Sequence, residues 1–135
     1  MLMHELSERV SRDPLLSGIS VLGLDPGGMA SDICRRGPFM TRSILMKLVL
    51  PLVAPAMVRI SPNGPVRTLK KSAGDVVRAC FHLEAPLGRA LYLNGSDERQ
   101  TCPDSLNEEK RKALWRFELQ AGRIGAGETI LNDWE

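Results

Sequence analysis

Aromatic side chains are scarce in this chain of 135 residues, where they make up 4% of the sequence. The core must therefore be built mainly from aliphatic side chains, with methionine as filler. The net charge is only +2. Because no aromatic-plus-basic pattern accompanies that charge, we expect no nucleic-acid partner. The length fits one domain with one modest core.

Metal-binding patterns are absent as well. The three cysteines, Cys34, Cys80 and Cys102, are widely spaced and form no CxxC pair or Cys/His cluster, so we expect no metal site. Free thiols without a secretory leader are typical of a reducing compartment, which predicts a cytoplasmic protein. A nucleophilic role for Cys34, which lies beside Arg35 and Arg36, is a minor alternative.

No apolar run reaches the ~20 residues that span a bilayer. The most apolar stretch, residues 44–58, contains Lys47, Pro51 and Pro55. Proline interrupts a helix, so we expect short broken helices that form core or pocket wall, and no transmembrane segment. Shallow contact with a membrane surface is the minor alternative, because a broken apolar helix pair can lie at an interface.

The strongest feature that is present is a strand that ends in a sharp turn. Residues 19–24 form a near-continuous apolar run, which is typical of a strand covered on both faces. Pro26 cannot donate a ladder hydrogen bond and Gly27 permits unusual backbone angles, so the strand ends by Asp25. In open α/β sheets, ligands bind at the carboxyl ends of the strands. The segment after this strand is therefore the predicted site.

Four further elements follow from periodicity and turn residues: helices over 1–12, 73–83 and 106–121, and a second strand over 89–93. Capping boxes at Ser72–Asp75 and Ser105–Glu108 mark the starts of the last two helices. A helix, a short loop and a strand form the unit that lays parallel strands side by side. The predicted fold class is therefore α/β.

The apolar faces of these helices are expected to be buried. In the first helix, the charged residues Glu5 and Arg9 are assigned to the solvent face. In the later helices, the residues assigned to the core side include Val76, Val77, Phe81, Leu114 and Phe117.

This order of elements over residues 1–122 is similar to the C-terminal half of a short-chain dehydrogenase/reductase. The family's Pro-Gly-x-x-x-Thr segment, whose backbone and hydroxyl contact the nicotinamide half of the cofactor, is similar to Pro26-Gly27-Gly28-Met29-Ala30-Ser31. The segment before the last helix in fungal members is similar to Cys102-Pro103-Asp104-Ser105. The resemblance implies a truncated Rossmann-like half-domain over 1–122, with about two parallel strands and four or more helices, followed by a tail over 123–135.

Other hallmarks of that family do not occur in these 135 residues. The Gly-rich turn that receives the pyrophosphate, the catalytic Ser and the Tyr-x-x-x-Lys pair are missing, and Tyr92 has Ser96 four residues on. We therefore expect no redox cofactor. A sheet of two strands is not stable alone and exposes an apolar edge. We expect a homodimer in which the second copy covers that edge.

Asp25 and Asp32 are the predicted catalytic residues. Asp25 stands at a strand end beside apolar surface and Asp32 stands near Arg35, positions in which a carboxyl group can transfer a proton. The alternative is that both carboxylates accept hydrogen bonds from turn N–H groups. The residues predicted to bind substrate are Met29, Ser31, Arg35, Phe39, Met40 and Met46.

These features favour an enzyme, namely a cofactor-independent acid–base catalyst of the isomerase or cyclase type. Epoxide opening with rearrangement, or cyclisation, of a small hydrophobic metabolite in secondary-metabolite biosynthesis fits such a site, by analogy with the family. The alternative is a non-catalytic interaction module or a remnant of an NAD(P)-dependent short-chain reductase.

Overall fold

The computed structural model describes residues 1–32, 35–125, 127–132 and 134, with the backbone alone at position 42. The described elements in chain order are α1 (Leu2–Arg12), β1 (Leu22–Asp25), a π-helix (Met40–Val49), α2 (Leu50–Ile60), α3 (Leu69–Phe81), β2 (Leu91–Asn94), β3 (Asp97–Glu98), a 3₁₀ turn (Pro103–Leu106) and α4 (Glu108–Gly122). Helices and strands are thus mixed along the chain, and the predicted α/β class is confirmed.

The three strands form one sheet in the order β1-β2-β3. β1 and β2 run in the same direction, because the N–H of Leu91 donates to the carbonyl of Val21 (3.2 Å) and the N–H of Gly95 donates to that of Asp25 (3.1 Å). The predicted parallel pair is therefore present. The sequence analysis missed β3, a two-residue strand that pairs antiparallel with β2.

β1 lies at one edge of this sheet and is shorter than predicted. It begins at Leu22 rather than Ile19, and Ile19 is 52% exposed. Leu22 and Leu24 are only half-buried. The expectation that this strand is covered on both faces is wrong for this structure, because an edge strand has a neighbour on one side only.

The chain divides into two compact units. The first consists of residues 1–23, 84–92 and 99–135, and the second of residues 24–83 and 93–98. In the first unit α1 packs against α4, with Val10 and Leu91 among its buried apolar residues. The buried apolar residues of the second unit include Ala54, Ala79 and Leu93.

Two charged residues of α1 are buried, although Arg12 of the same helix is exposed, and this corrects the sequence prediction for Glu5 and Arg9. Glu5 and Arg9 are both nearly inaccessible and form an ion pair of 3.0 Å. The guanidinium of Arg9 also lies 4.8 Å from the ring centroid of Trp115, and Arg111 lies 3.5 Å from the Glu5 carboxylate. Paired charges and an aromatic face compensate for the loss of water, so the charged residues occupy the inside of this unit.

The two capping boxes are also corrected. Thr68 caps α3 and Asn107 caps α4, and each side chain accepts a hydrogen bond from the backbone N–H three residues on, at 3.2 and 3.0 Å. Ser72 and Ser105 instead lie inside α3 and inside the 3₁₀ turn. Thr and Asn are also among the preferred N-cap residues, so a nearby serine does not by itself identify the start of either helix.

The apolar faces assigned to α3 and α4 are largely exposed. Phe81 is 79% exposed and Phe117 is 63% exposed, whereas Leu114 is half-buried. Val76 and Val77 are exposed too. The residues that α3 buries are Ser72, Asp75 and Ala79. The predicted burial of the apolar face of α3 is therefore wrong.

The π-helix and α2 form one continuous helical stretch, so the prediction of short broken helices is wrong. The N–H of Leu50 donates to the carbonyl of Leu45, the five-residue spacing of a π-helix. Pro51 lies at the junction between the π-helix and α2. Pro55 follows four residues later, so both prolines lie on the same side of the helix.

This stretch is also exposed, and the expectation that it forms core is wrong. Ala54 is the buried residue of α2. A window of 18 residues, Ser43–Ile60, is long and apolar enough to cross a membrane by length and composition, and 6% of it is buried. A single such helix among the described residues is weak evidence for a membrane span.

The open edge of β1 generates a prediction about assembly. We expect the chain to elute as a dimer, with about twice the monomer mass of 14.9 kDa, because a second copy can cover that edge. Size-exclusion chromatography with light scattering at micromolar concentration measures the mass. A monodisperse monomer would contradict the prediction.

A second prediction concerns pH. Nε2 of His4 lies 2.9 Å from Oγ1 of Thr101. Partial burial, and then the positive charges of the N-terminus and Arg111, lower the pKa of His4 from its ordinary value of 6.5. The unfolded chain therefore binds the proton more readily, so stability contributed at this site is present above pH 6.5 and is lost as the pH falls below it.

We expect the free energy of unfolding to fall less between pH 7 and pH 5 in His4→Gln than in the unmodified chain. Urea denaturation at both pH values measures this difference. His82→Gln is the matched control, since His82 is exposed at the end of α3. An equal fall in the His4→Gln variant and the unmodified chain would rule out His4 as the source.

Candidate functional site

The candidate site is the strand-mouth segment, residues 25–32, which leaves the carboxyl end of β1. Its first residue, Asp25, is exposed, and its Oδ1 accepts a hydrogen bond from the N–H of Gly27 at 2.8 Å. Gly27 has a φ of +68°, a left-handed conformation that glycine adopts without strain. The carboxylate of Asp25 thus stabilises the turn, as one of the two sequence alternatives proposed, while its catalytic role remains a prediction.

A single buried cation holds the start of this segment. Arg67 is 1% exposed. Its Nη1 donates to the carbonyl of Asp25 (2.7 Å), its Nε to that of Gly64 (3.0 Å) and its Nη2 to that of Asn63 (3.0 Å). Nη2 also donates to Oδ1 of Asn94. One guanidinium therefore joins the end of β1, the end of β2 and the loop that precedes Arg67 itself.

Two glycines make room for this guanidinium. A Cβ atom at Gly27 would lie 3.0 Å from Nε of Arg67, and one at Gly95 would lie 2.8 Å from Nη1. Gly95 also has a positive φ of +64°, which closes the turn between β2 and β3. Both positions combine close approach with a left-handed backbone, so side chains are disfavoured there for two reasons.

Further hydrogen bonds hold the next residues of the segment. Oγ of Ser72 donates to the carbonyl of Pro26 at 2.7 Å. The N–H of Gly28 donates to the carbonyl of Pro65 (2.7 Å), and the N–H of Arg67 donates to the carbonyl of Gly28 (2.8 Å). The backbone from Asp25 to Gly28 is thus bonded to α3 and to the preceding loop.

Asn63 extends the same network with its side-chain amide. Its Oδ1 accepts hydrogen bonds from the N–H of Ser96 (3.1 Å) and from Nζ of Lys71 (3.2 Å). Lys71 in turn forms an ion pair of 2.5 Å with the buried carboxylate of Asp75. The polar groups around the strand-mouth segment are therefore extensively satisfied by one another.

The remaining predicted site residues lie further along the same unit. Asp32 and Arg35 share a turn, in which the N–H of Arg35 donates to the backbone carbonyl of Asp32 at 3.0 Å. Both side chains are exposed, as is Ser31. Cys34, the minor candidate for a nucleophile, lies outside the described residues.

The predicted apolar lining is only partly sheltered. Met29 and Met46 are half-buried. Phe39 and Met40, at the start of the π-helix, are 65% and 64% exposed. These two side chains therefore do not close an apolar pocket over the segment.

The sequence analysis missed the residues that hold the site, namely Arg67, Asn63 and Ser72. Arginine is among the residues least often buried, and no local pattern marks a lone arginine in a loop as an internal one. The available local signal was the turn-forming composition of residues 61–65, Ser-Pro-Asn-Gly-Pro, shortly before Arg67.

The chemistry that this arrangement offers is proton transfer and hydrogen bonding. Two carboxylates (Asp25 and Asp32), the hydroxyl of Ser31 and the guanidinium of Arg35 are carried on one stretch of backbone. Among the described residues, no group of three or more His, Cys, Asp or Glu side chains could hold a metal ion. General acid–base chemistry needs no more than correctly placed carboxyl groups.

The Arg67 network generates a testable prediction. Arg67→Lys should lower the free energy of unfolding by about 2–4 kcal/mol, because one ammonium cannot replace the four hydrogen bonds and buried acceptors are left unpaired. Lys70→Gln is the matched control: Lys70 is exposed in the same unit, and the change should stay within about 0.5 kcal/mol. Urea denaturation measures both. Equal midpoints for the two variants would contradict the assigned role of Arg67.

The chain is similar in sequence to a known protein. The chain is 46% identical over 138 residues to a protein named "Short-chain dehydrogenase iccH" from Talaromyces variabilis. The aligned region covers the whole of this chain and 37% of that protein, so the chain spans little more than a third of the length of this relative. No family model matches. No solved structure matches either. The similarity confirms the resemblance that the sequence indicated.

Proposed function

We propose that this chain, which resembles a short-chain dehydrogenase over its whole length, binds a small hydrophobic metabolite at the strand-mouth segment and transfers a proton on it without a redox cofactor. The observation that carries the proposal is the clamped backbone: Arg67 and Ser72 bond to the carbonyls of Asp25 and Pro26. A backbone fixed in this way over residues 25–28 needs little further loss of backbone entropy when a ligand binds.

The proposed reaction is an isomerisation or cyclisation, such as epoxide opening with rearrangement. A protonated carboxyl group donates its proton to the epoxide oxygen, the C–O bond breaks, and positive charge develops on carbon. Loss of a proton from a neighbouring carbon to the carboxylate completes an isomerisation and restores the acid. Asp25 keeps one oxygen in the bond to Gly27, whereas Asp32 is joined to Arg35 through a backbone hydrogen bond, so the two carboxyls differ in their surroundings.

The second candidate is NAD(P)-dependent reduction, in which this chain contributes to a short-chain reductase. The name of the similar protein favours it. The described residues fit such a cofactor only in part. Ser31 offers an exposed hydroxyl at the position that resembles the family's nicotinamide contact, whereas both backbone polar groups of Gly28 are already bonded within the chain. No segment of these 135 residues resembles the Gly-rich pyrophosphate turn.

Turnover of a small hydrophobic epoxide tests the proposal, and styrene oxide is a suitable probe. We expect product without NAD(P)H, and a 10²–10⁴-fold lower rate in whichever of Asp25→Asn and Asp32→Asn removes the acid, the range typical of general acid catalysis. Gas chromatography of the product measures the rate. Asp97→Asn is the matched control, an exposed carboxylate of the same unit outside the segment.

Two results would contradict the assignment in different ways. Unchanged rates in both variants would show that neither carboxyl is the acid. Consumption of NADPH with a carbonyl substrate, and none of the epoxide, would favour the reductase candidate. Thermal unfolding of each variant shows whether a lost rate reflects a lost fold, which matters most for Asp25 because its side chain holds the turn.

A further inference from the structure

The longest exposed apolar surface described in the second unit belongs to the apolar helix, residues 40–60, formed by the π-helix and α2. Its outward side chains are large and aliphatic: Leu48 is 57% exposed, Leu52 is 71% exposed and Ile60 is 81% exposed. Only 6% of the window Ser43–Ile60 is buried. An apolar surface of this length in contact with water indicates a docking surface.

The charge around this helix is of one sign. Between Asp32 and Asp75 the sequence contains eight Lys and Arg residues and no Asp or Glu. The second unit as a whole carries nine Lys and Arg against five Asp and Glu, whereas the first carries nine against eleven. The positive charge of the chain is therefore concentrated in the unit that carries the apolar helix.

Several of these cations are available at the surface. Arg67 is buried and Lys71 is paired with Asp75, so neither contributes. Among the side chains that the structure describes between Asp32 and Asp75, the exposed cations are Arg35, Arg36, Lys47, Arg59 and Lys70. Two of them, Lys47 and Arg59, lie on the apolar helix itself.

We propose that the apolar helix docks on an anionic lipid bilayer and lies at its surface. Aliphatic side chains would enter the boundary between headgroups and acyl chains, while the neighbouring cations would contact anionic headgroups. The complete lack of acidic residues over this stretch removes the repulsion that an anionic surface would otherwise impose. This inference is independent of the reaction proposed for the strand-mouth segment.

Surface docking fits the helix better than a transmembrane span does. Lys47 lies within the candidate span, where a charge is costly. Arg59 places a second charge in the same window, so a span would have to accommodate two cations. A second copy of the chain is a weaker fit as occupant, because it would bring two sets of like charges together.

Vesicle flotation tests the proposal with the 135-residue chain. We expect binding to vesicles of phosphatidylcholine with 30% phosphatidylserine to exceed binding to pure phosphatidylcholine by at least about tenfold, and to weaken with added salt. Lys47→Gln with Arg59→Gln should lower anionic-vesicle binding roughly 30-fold, about fivefold for each cation. Lys110→Gln with Lys112→Gln, on the other unit, is the matched control.

The apolar contribution is tested in the same assay. Leu48→Gln with Leu52→Gln should lower binding at least about tenfold, since both side chains are exposed in the free chain and would be buried in lipid. Leu15→Gln with Phe81→Gln replaces apolar residues that are more exposed (89% and 79%) and lie outside the apolar helix, and it should leave binding unchanged. Because all four side chains are exposed, far-UV circular dichroism should show intact folding.

The depth of the apolar helix in the bilayer is measured by quenching of tryptophan fluorescence with brominated lipids. Leu52→Trp should be quenched by bromines near the headgroups, and the control Phe81→Trp should not be quenched. Quenching of Leu52→Trp at the bilayer centre would overturn surface docking in favour of a span. Equal flotation with both vesicle types would contradict docking on an anionic bilayer. So would a Leu48→Gln/Leu52→Gln variant that changes from dimer to monomer, or the reverse, without an effect on flotation.

Discussion

One buried guanidinium organises the end of β1. Arg67 carries a full positive charge at 1% exposure, and its hydrogen-bond acceptors are carbonyl and amide oxygens rather than a carboxylate. A charge in such surroundings is tolerated only when its donors are well bonded. The loop that supplies these acceptors and the two glycines that approach the guanidinium are therefore mutually dependent. The conformation of the strand-mouth segment follows from this one requirement.

In both units, polar and charged side chains are buried while large apolar side chains are exposed to solvent. Several of their most buried residues are polar or charged, such as Glu5, Arg9 and Ser72, while Phe81 and Leu52 are largely exposed. Hydrogen bonds and ion pairs thus hold much of the described structure together, and a large apolar surface remains in contact with water. That surface is what both the assembly at the β1 edge and the docking of the apolar helix would cover.

Local signals predicted the elements better than the faces that those elements bury. The first helix, the end of β1 at Asp25 and the parallel pairing with β2 all followed from periodicity and turn residues. The starts of α3 and α4 were misplaced by a few residues, because Thr68 and Asn107 compete with nearby serines for the same capping role. The resemblance to a short-chain dehydrogenase was correct because it rested on the order of elements rather than on any one boundary.

The candidate site was predicted only in part, because its carboxylates could be identified from the sequence and Arg67 could not. Its carboxylates follow directly from their place after a strand, but Arg67 acts through residues that are distant in sequence. Asp25 precedes it by 42 positions and Asn94 follows it by 27. Pairing over such separations depends on how the chain folds back, which local patterns do not encode.

The prolines of the apolar helix have a consequence for its orientation. Pro55 has no N–H to offer to the backbone carbonyl one turn earlier, and Pro51 lies on the same side of the helix. The carbonyl of Pro51 therefore loses the donor that position 55 would otherwise supply, and hydrocarbon cannot replace it. On a bilayer surface, the side of the helix that carries Pro51 and Pro55 would therefore face water. The backbone alone thus restricts how the helix can rotate about its own axis there.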